Sequence, residues 1–396
     1  MLDLAKLAHQ MRDIGQHLSE ESAATRKRLE RTQALFNEAI ARQSELFQLR
    51  QEWDERLIFT SGIPTEPLTL RQAIAAAPAA HTVLATDGSQ IAPSHHEIAY
   101  CYLINVGRTA LHYGQSRYPL LDSLPEVVYR PEDLYQSHQW GVRTDEWMGY
   151  RRTVSEAVVL SELAAAIEPA SLPVLAMVDG SLVYWFLDTL PEGAQDQLLP
   201  PILAAWDQLR DRGIPVVGYI SATRSSESLN FLRLHTCPYD QPDCQRHCAK
   251  TPSTRQIKPP CQVFSPLRDA ALWGQVLSPG QRSPLWRGGA SILRRYGDHH
   301  IYFCYLHVGS EVARLEMPAW VVEDADLLDW ALTLTVAQVQ KGYGYPVALA
   351  ESHNQAVVRG GDRLQFFSLL EREMIRAGLK NIGTSYKEAR KRGSIA

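Results

Sequence analysis

The sequence predicts an α/β protein: a mixed sheet flanked by helices, with a long N-terminal helical arm and a Cys-rich loop insertion. Three observations carry this. Buried-strand runs, Val83 to Ala85, Val174 to Val178 and "IPVVGYIS", alternate with helical stretches. Two further runs of strand composition, 97–107 and 108–114, follow the first with Gly-punctuated turns, as in an antiparallel meander. The order of strand, two strands, helix, strand, helix, strand is that of a mixed sheet covered by helices.

Each element follows from local pattern. Residues 1–58 contain no Pro and one Gly, and Leu4, Leu7, Met11, Ile14 and Leu18 recur at spacings of three and four, a coiled-coil seam. The seam weakens around Thr25 and Thr32 and recovers through Leu35, Ala39, Leu46, Leu49 and Trp53. One continuous helix of this length would extend roughly 85 Å. The arm therefore either meets a partner or folds back as a hairpin on its own body. Gly62, Pro64 and Pro67 open a linker, 59–80, with a short helix expected over Leu70 to Ala77. The remainder, 81–396, is expected as one domain. In it, 115–144 is read as irregular, Asp145 to Glu168 as a helix capped by Thr144, and 194–211 as a helix. "HIYFCYLHVG" and "PAWVVED" are read as strands, Asp326 to Gln340 as a helix, and "YPVALAESHNQAVV" as the start of another.

The chain has 396 residues, 45% hydrophobic and 21% charged, with a formal net charge of −4. That composition is ordinary for a globular protein. It lacks an apolar run long enough for a membrane span or a signal peptide, so a cytoplasmic protein without a membrane partner is expected. The net charge excludes a uniformly basic coat but not a local phosphate-binding patch. The basic run Lys380, Lys387, Arg390, Lys391 and Arg392 is either such a patch or a solvated terminus.

The chemistry concentrates in a motif that occurs twice. Asp87-Gly88-Ser89 and Asp179-Gly180-Ser181 each follow a buried run. One Asp-Gly is turn chemistry. Two at the ends of neighbouring strands bring two carboxylates side by side, and a third acid from a helix makes an oxygen site for Mg²⁺ or Mn²⁺. Two such ions would stabilise both the attacking and the leaving oxygen of a phosphodiester. Ser89 and Ser181 lack a nucleophile elbow and are read as shaping the turn or touching phosphate. Taken alone, His353 is a metal ligand, a general acid, a phosphate contact or a structural residue, and Tyr345 a packing aromatic.

The ordered set of Asp87-Gly88-Ser89, Asp179-Gly180-Ser181-Leu182, "VVGYISATRSSESLNFLRL" and "YPVALAESHNQAV" resembles the NurA nucleases over about residues 80 to 390. That family's core is similar to the RNase H fold. The resemblance implies a Mn²⁺- or Mg²⁺-dependent DNA nuclease, a 5′–3′ exonuclease with single-strand endonuclease activity. It further implies work in DNA end resection and double-strand break repair, a HerA-type hexameric ATPase partner and a homodimer. It assigns Asp87 and Asp179 as metal ligands and Tyr345 and His353 as completing the site. The third acid lies on the helix before the second Asp: Glu156 is favoured and Glu162 is the alternative. Arg224, where archaeal members often carry Lys, would contact phosphate. Two rival functions remain: an RNase or flap phosphodiesterase on the same core, and a non-catalytic adaptor of an ATPase complex.

Four of the six cysteines fall close together, Cys237, Cys244, Cys248 and Cys261, within a Pro-rich insertion at 235–265. Thiol clustering in a reducing compartment points to Zn²⁺ or a [4Fe-4S] cluster, with His235 and His247 as substitute ligands; the other reading is a loop with free thiols. Cys101 and Cys304 sit in apolar runs and are expected to be buried.

Overall fold

The computed structural model describes residues 3–94, 97–167, 172–248 and 259–379. The basic run from Lys380 lies outside them. Helix α1 (Leu4–Ala41) starts at Asp3, whose carboxylate accepts the Lys6 N–H at 3.1 Å, and a break at Arg42 separates it from α2 (Gln43–Glu52). Short strands β1 (Ile63–Pro64) and β2 (Gln72–Ala73) follow. Next come β3 (His81–Ile91), β4 (Tyr102–Tyr113), β5 (Leu120–Val128), α3 (Pro131–Leu134) and α4 (Thr144–Ala165). The chain continues through β6 (Val174–Asp179), α5 (Glu192–Asp211), β7 (Val216–Ile220), α6 (Glu227–His235), α7 (Cys244–His247) and α8 (Asp269–Val276). It closes with β8 (Gln281–Arg282), β9 (Trp286–Arg287), β10 (Ile301–His307), β11 (Val312–Pro318), α9 (Ala319–Glu323), α10 (Ala325–Lys341), α11 (Val347–Ala356) and α12 (Gly360–Arg376). No helix of the described residues is long and apolar enough to cross a membrane.

The chain divides into two compact units: Met1–Ile74 with Ile220–Glu316, and Ala75–Tyr219 with Met317–Ala396. In the second unit β3, β4 and β5 form an antiparallel meander, β6 lies parallel to β3, and β7 parallel to β6. The resulting order is β7-β6-β3-β4-β5, a mixed sheet as the sequence predicts. Period-two alternation assigns β3 side chains to two faces. Thr86 and Gly88 face α4: the Thr86 hydroxyl donates to the Glu156 carbonyl at 2.9 Å, and Gly88 lies under the Glu156 and Arg152 side chains. Asp87 and Ser89 face α11, which they bond through His353 and the Ala356 carbonyl.

Gly107 explains how α11 lies so close to β4. A Cβ there would overlap the Ser352 carbonyl and the Ala356 nitrogen, so only glycine admits the helix backbone. Asn105 Nδ2, two residues away on the same face, donates to the Ala356 carbonyl at 2.8 Å.

In the first unit β10 pairs with β8 and β9, β1 with β9, and β2 with β8. Phe36 and Ala39 of α1 and Leu46 of α2 are buried in a core with Phe231, Trp273, Trp286 and Phe303. Phe36 meets Trp273 edge-on at 5.6 Å between centroids. The N-terminal seam differs: Leu4, Met11, Ile14 and Leu18 are 45–69% exposed. The buried Arg314 of this unit is paired, as burial of a charge requires. Arg314 binds Glu227 and Glu316, each at 2.8 Å. Asp269 accepts the Ser228 and Leu229 N–H groups that open α6.

Several expectations are corrected. Leu70 to Ala77 holds no helix: Gln72 joins β2, drawn to β8 by Arg282, which binds both Gln72 and Glu66. Residues 59–80, read as a linker, thus supply two strands. The runs 97–107 and 108–114 join in one strand, β4 (Tyr102–Tyr113), because Gly107 serves helix approach rather than a turn, while 97–101 stay outside the strand. Residues 115–144 hold β5 and α3. "PAWVVED" is helical after Pro318, which stands at the helix start where its missing N–H costs nothing. The residue flanking α4 is Arg143, and Thr144, buried inside the helix, donates to the Leu134 carbonyl. Cys101 and Cys304 are buried as expected.

Candidate active site at the β3 and β6 carboxylates

Asp87 does not end its strand. β3 runs four residues further, to Ile91, paired throughout with β4. It is the parallel pairing that stops, at Thr86 and Val178. The next residue on each strand is Asp87 or Asp179, so the register itself sets the two carboxylates abreast. Gly180 takes φ +114°, which glycine alone adopts without strain, and its N–H bonds the Tyr219 carbonyl. The chain can thereby leave β6 directly after Asp179.

Glu156 arrives from α4. Its side chain is 19% exposed, and Arg152 Nε lies 3.2 Å from its carboxylate. The contact lacks hydrogen-bond geometry, and that buried Nε has no other hydrogen-bond partner. Burial pushes the Glu156 carboxyl up to about 7, aided by the neighbouring Asp87 and Asp179 charges and opposed by Arg152 and the Gly88 N–H. Asp179 is raised in the same sense, first by desolvation, although it keeps an exposed edge, and also by Asp87. Two carboxyls held above their ordinary values by burial and by each other mark a place where negative charge is crowded.

Tyr345 and His353 attach to this group. The Tyr345 hydroxyl donates to Asp179, and burial together with that carboxylate holds the phenol well above its ordinary pKa, so it remains a donor. Its ring meets Tyr219 edge-on at 5.7 Å. His353 Nδ1 lies 2.7 Å from Asp87 Oδ2, and the imidazole is 63% exposed. Five of the residues singled out in the sequence, Asp87, Glu156, Asp179, Tyr345 and His353, therefore come together. Glu162 does not: it is exposed, and its charge acts on Arg108, the partner of Asp122. Arg224 is exposed on the loop before α6 and belongs to the first unit. Asn105 and Gly107 were missed as parts of the site. The signals were present: one amide and one glycine inside an apolar strand.

Among the described residues no three Cys, His, Asp or Glu side chains already converge on one metal position. At the acids the cause is visible, since each is turned to its own partner: Asp87 to His353, Glu156 to Arg152, Asp179 to Tyr345. The donor set itself fits a hard divalent cation, which would offset the crowding that raises Glu156 and Asp179.

Comparison with known proteins bears on this geometry. The family model described as the NurA domain matches residues 81–358, well over half of the chain. The search of curated proteins gives no match. Among solved structures, the NurA nuclease from Sulfolobus solfataricus is similar at 10% identity, with a TM-score of 0.45, covering 78% of this chain and 89% of its own. A structure of NurA with manganese has 10% identity and a TM-score of 0.35, covering 76% of this chain and 90% of its own. A type 1 RNase H matches over 40% of this chain and 72% of its own, at 10% identity and a TM-score of 0.23. The match across 81–358 encloses all five clustered residues, and the chain belongs to the NurA family.

Proposed function

We propose that this chain is a divalent-metal-dependent nuclease that hydrolyses DNA phosphodiester bonds. The carrying observation is the register of β3 and β6, which sets Asp87 and Asp179 abreast with Glu156 beside them. Asp87, Asp179 and Glu156 would hold Mn²⁺ or Mg²⁺. When bound, such ions supply an acidified water and neutralise charge on phosphate oxygens.

The chain's own groups have separable roles. Tyr345 keeps its proton and orients Asp179. Asp87, accepting from Nδ1, places the imidazole proton there and leaves the other nitrogen of His353 to exchange a proton with a phosphate or leaving oxygen. Arg152 compensates the Glu156 charge and favours its carboxylate form against the burial that opposes it. The wider reading is DNA end resection in double-strand break repair, by a 5′–3′ exonuclease with endonuclease action on single strands. A homodimer partnered by a HerA-type hexameric ATPase in the cytoplasm completes it. Family membership supports this wider reading.

The test is degradation of 5′-labelled linear DNA by the purified protein with Mn²⁺, Mg²⁺ or EDTA, wild type against Asp179→Ala. Cleavage that requires the cation and falls by about a hundredfold or more in the variant is expected, since even outer-shell losses at metal sites cost 10–100-fold. An inactive wild type, with a HerA-type ATPase present, would favour the adaptor instead.

A further inference from the structure

The first unit brings all four clustered cysteines to one place. Cys237 follows the end of α6, Cys244 opens α7 and Cys248 follows it, and Cys261 precedes a turn at Gln262–Phe264. Their side chains line a single cavity of about 10 Å³, walled by Leu57, Phe59 and prolines. All four are free thiols. The Cys248 and Cys244 thiols are hydrogen-bonded to each other, and the charge of each neighbouring cysteine acts on Cys237 and Cys248. Arg233 Nη2 donates to Cys261 Sγ at 3.4 Å, while its guanidinium lies 3.7 Å from the centre of the Phe59 ring. Neither His235 nor His247 joins the group: His235 bonds Arg42 and Glu38, and His247 stacks on Tyr239 at 4.0 Å.

We infer that Cys237, Cys244, Cys248 and Cys261 form a structural zinc site that fastens α7 and the turn after Cys261 to the rest of their unit. The inference is independent of the nuclease reading. Four thiols from three stretches of chain meet in an apolar cavity with no disulfide between them. As thiolates they would repel one another unless a cation lay among them, and as thiols they carry little packing area for so polar a segment.

Four thiolates make a complete tetrahedral donor set for one structural zinc ion. Zn–S bonds of about 2.3 Å set tetrahedral sulfurs roughly 3.8 Å apart, the spacing of thiols in contact. Among the described residues no three of these side chains converge on one metal position: Cys244 and Cys248 are turned to each other and Cys261 to Arg233. Deprotonation and closure around the ion complete the site, releasing the thiol protons to water.

The site also has mechanical consequences. Gln245 of α7 bonds the Glu55 carbonyl at 3.0 Å and the Arg56 side chain at 3.1 Å. A fixed α7 thereby holds the segment that leaves α2.

The experiment is elemental analysis of the full-length protein, expressed with zinc and iron both supplied and purified without chelator. It is followed by titration with p-hydroxymercuribenzoate while released zinc is read with 4-(2-pyridylazo)resorcinol. One zinc per chain is expected, released as the four clustered thiols are modified. Zinc is expected to be lost in Cys244→Ser and Cys248→Ser and retained in Asp179→Ala, which separates this site from the acids. Wild-type protein with only trace zinc overturns the inference, and needs no variant to fold. Bound iron with the broad visible absorption of a cluster, or zinc kept when all four thiols are modified, overturns it as well.

Discussion

Glu156 is the residue on which the acid cluster turns, because its environment opposes its charge. A folded-state value near 7, against an ordinary 4.5, means the fold favours the protonated form. The stabilisation is present at acid pH and is lost as pH rises through about 7, an effect on the order of 3 kcal/mol for such a shift. The metal-free protein is therefore expected to melt at falling temperature as pH rises from about 5 to 8. Glu156→Gln should flatten that slope, and Mn²⁺ should restore the alkaline melting temperature of the wild type only. A wild-type slope unchanged in the variant would remove Glu156 from this role. At His353 the expected loss is kinetic. His353→Ala should lower kcat by roughly 10²-fold, the lower end of general acid–base contributions. Calorimetry should find Mn²⁺ affinity less affected than in Asp179→Ala. Equal loss of affinity would make His353 a ligand instead.

Among the elements, α11 carries His353 and is held by a glycine. Its backbone lies on Gly107, and the Asn105 amide and Ser89 hydroxyl both bond the Ala356 carbonyl. Gly107→Ala drives a methyl into main-chain atoms that have no rotamer to yield. It is expected to cost about 1–3 kcal/mol by overpacking, seen as a lower urea midpoint, with cleavage reduced further than stability explains. Gly88→Ala meets side-chain ends instead, the Glu156 carboxylate and the Arg152 stem. It should spare the urea midpoint and reduce activity. Sequence pattern located β3, β6, α4 and α11 because apolar runs and their breakers are local signals. It placed a turn at Gly107 because the helix that requires the glycine lies some 250 residues away in the chain.

At the scale of the molecule, α1 has two halves with different physics. Phe36 is 2% exposed and packed on Trp273. Phe36→Ala should destabilise the first unit by about 3–5 kcal/mol, measured by thermal or urea unfolding. Leu4→Ser with Met11→Ser, at 69% and 50% exposure, should leave the monomer's melting temperature unchanged. Should the double variant melt early at every protein concentration, the seam would be buried against its own chain.

The sequence by itself determined the strands that carry the two aspartates, those two aspartates and the amphipathic arm, because each rests on neighbouring residues. Tertiary structure decided what depends on distant ones. The β3–β6 register, not a strand end, sets Asp87 beside Asp179. The placement of α4 chose Glu156 over Glu162, which faces the Arg108–Asp122 pair instead. The pairing with Arg282 turned an expected helix into β2. Pairing and packing energies act across hundreds of residues, and a local pattern cannot record where a partner will lie.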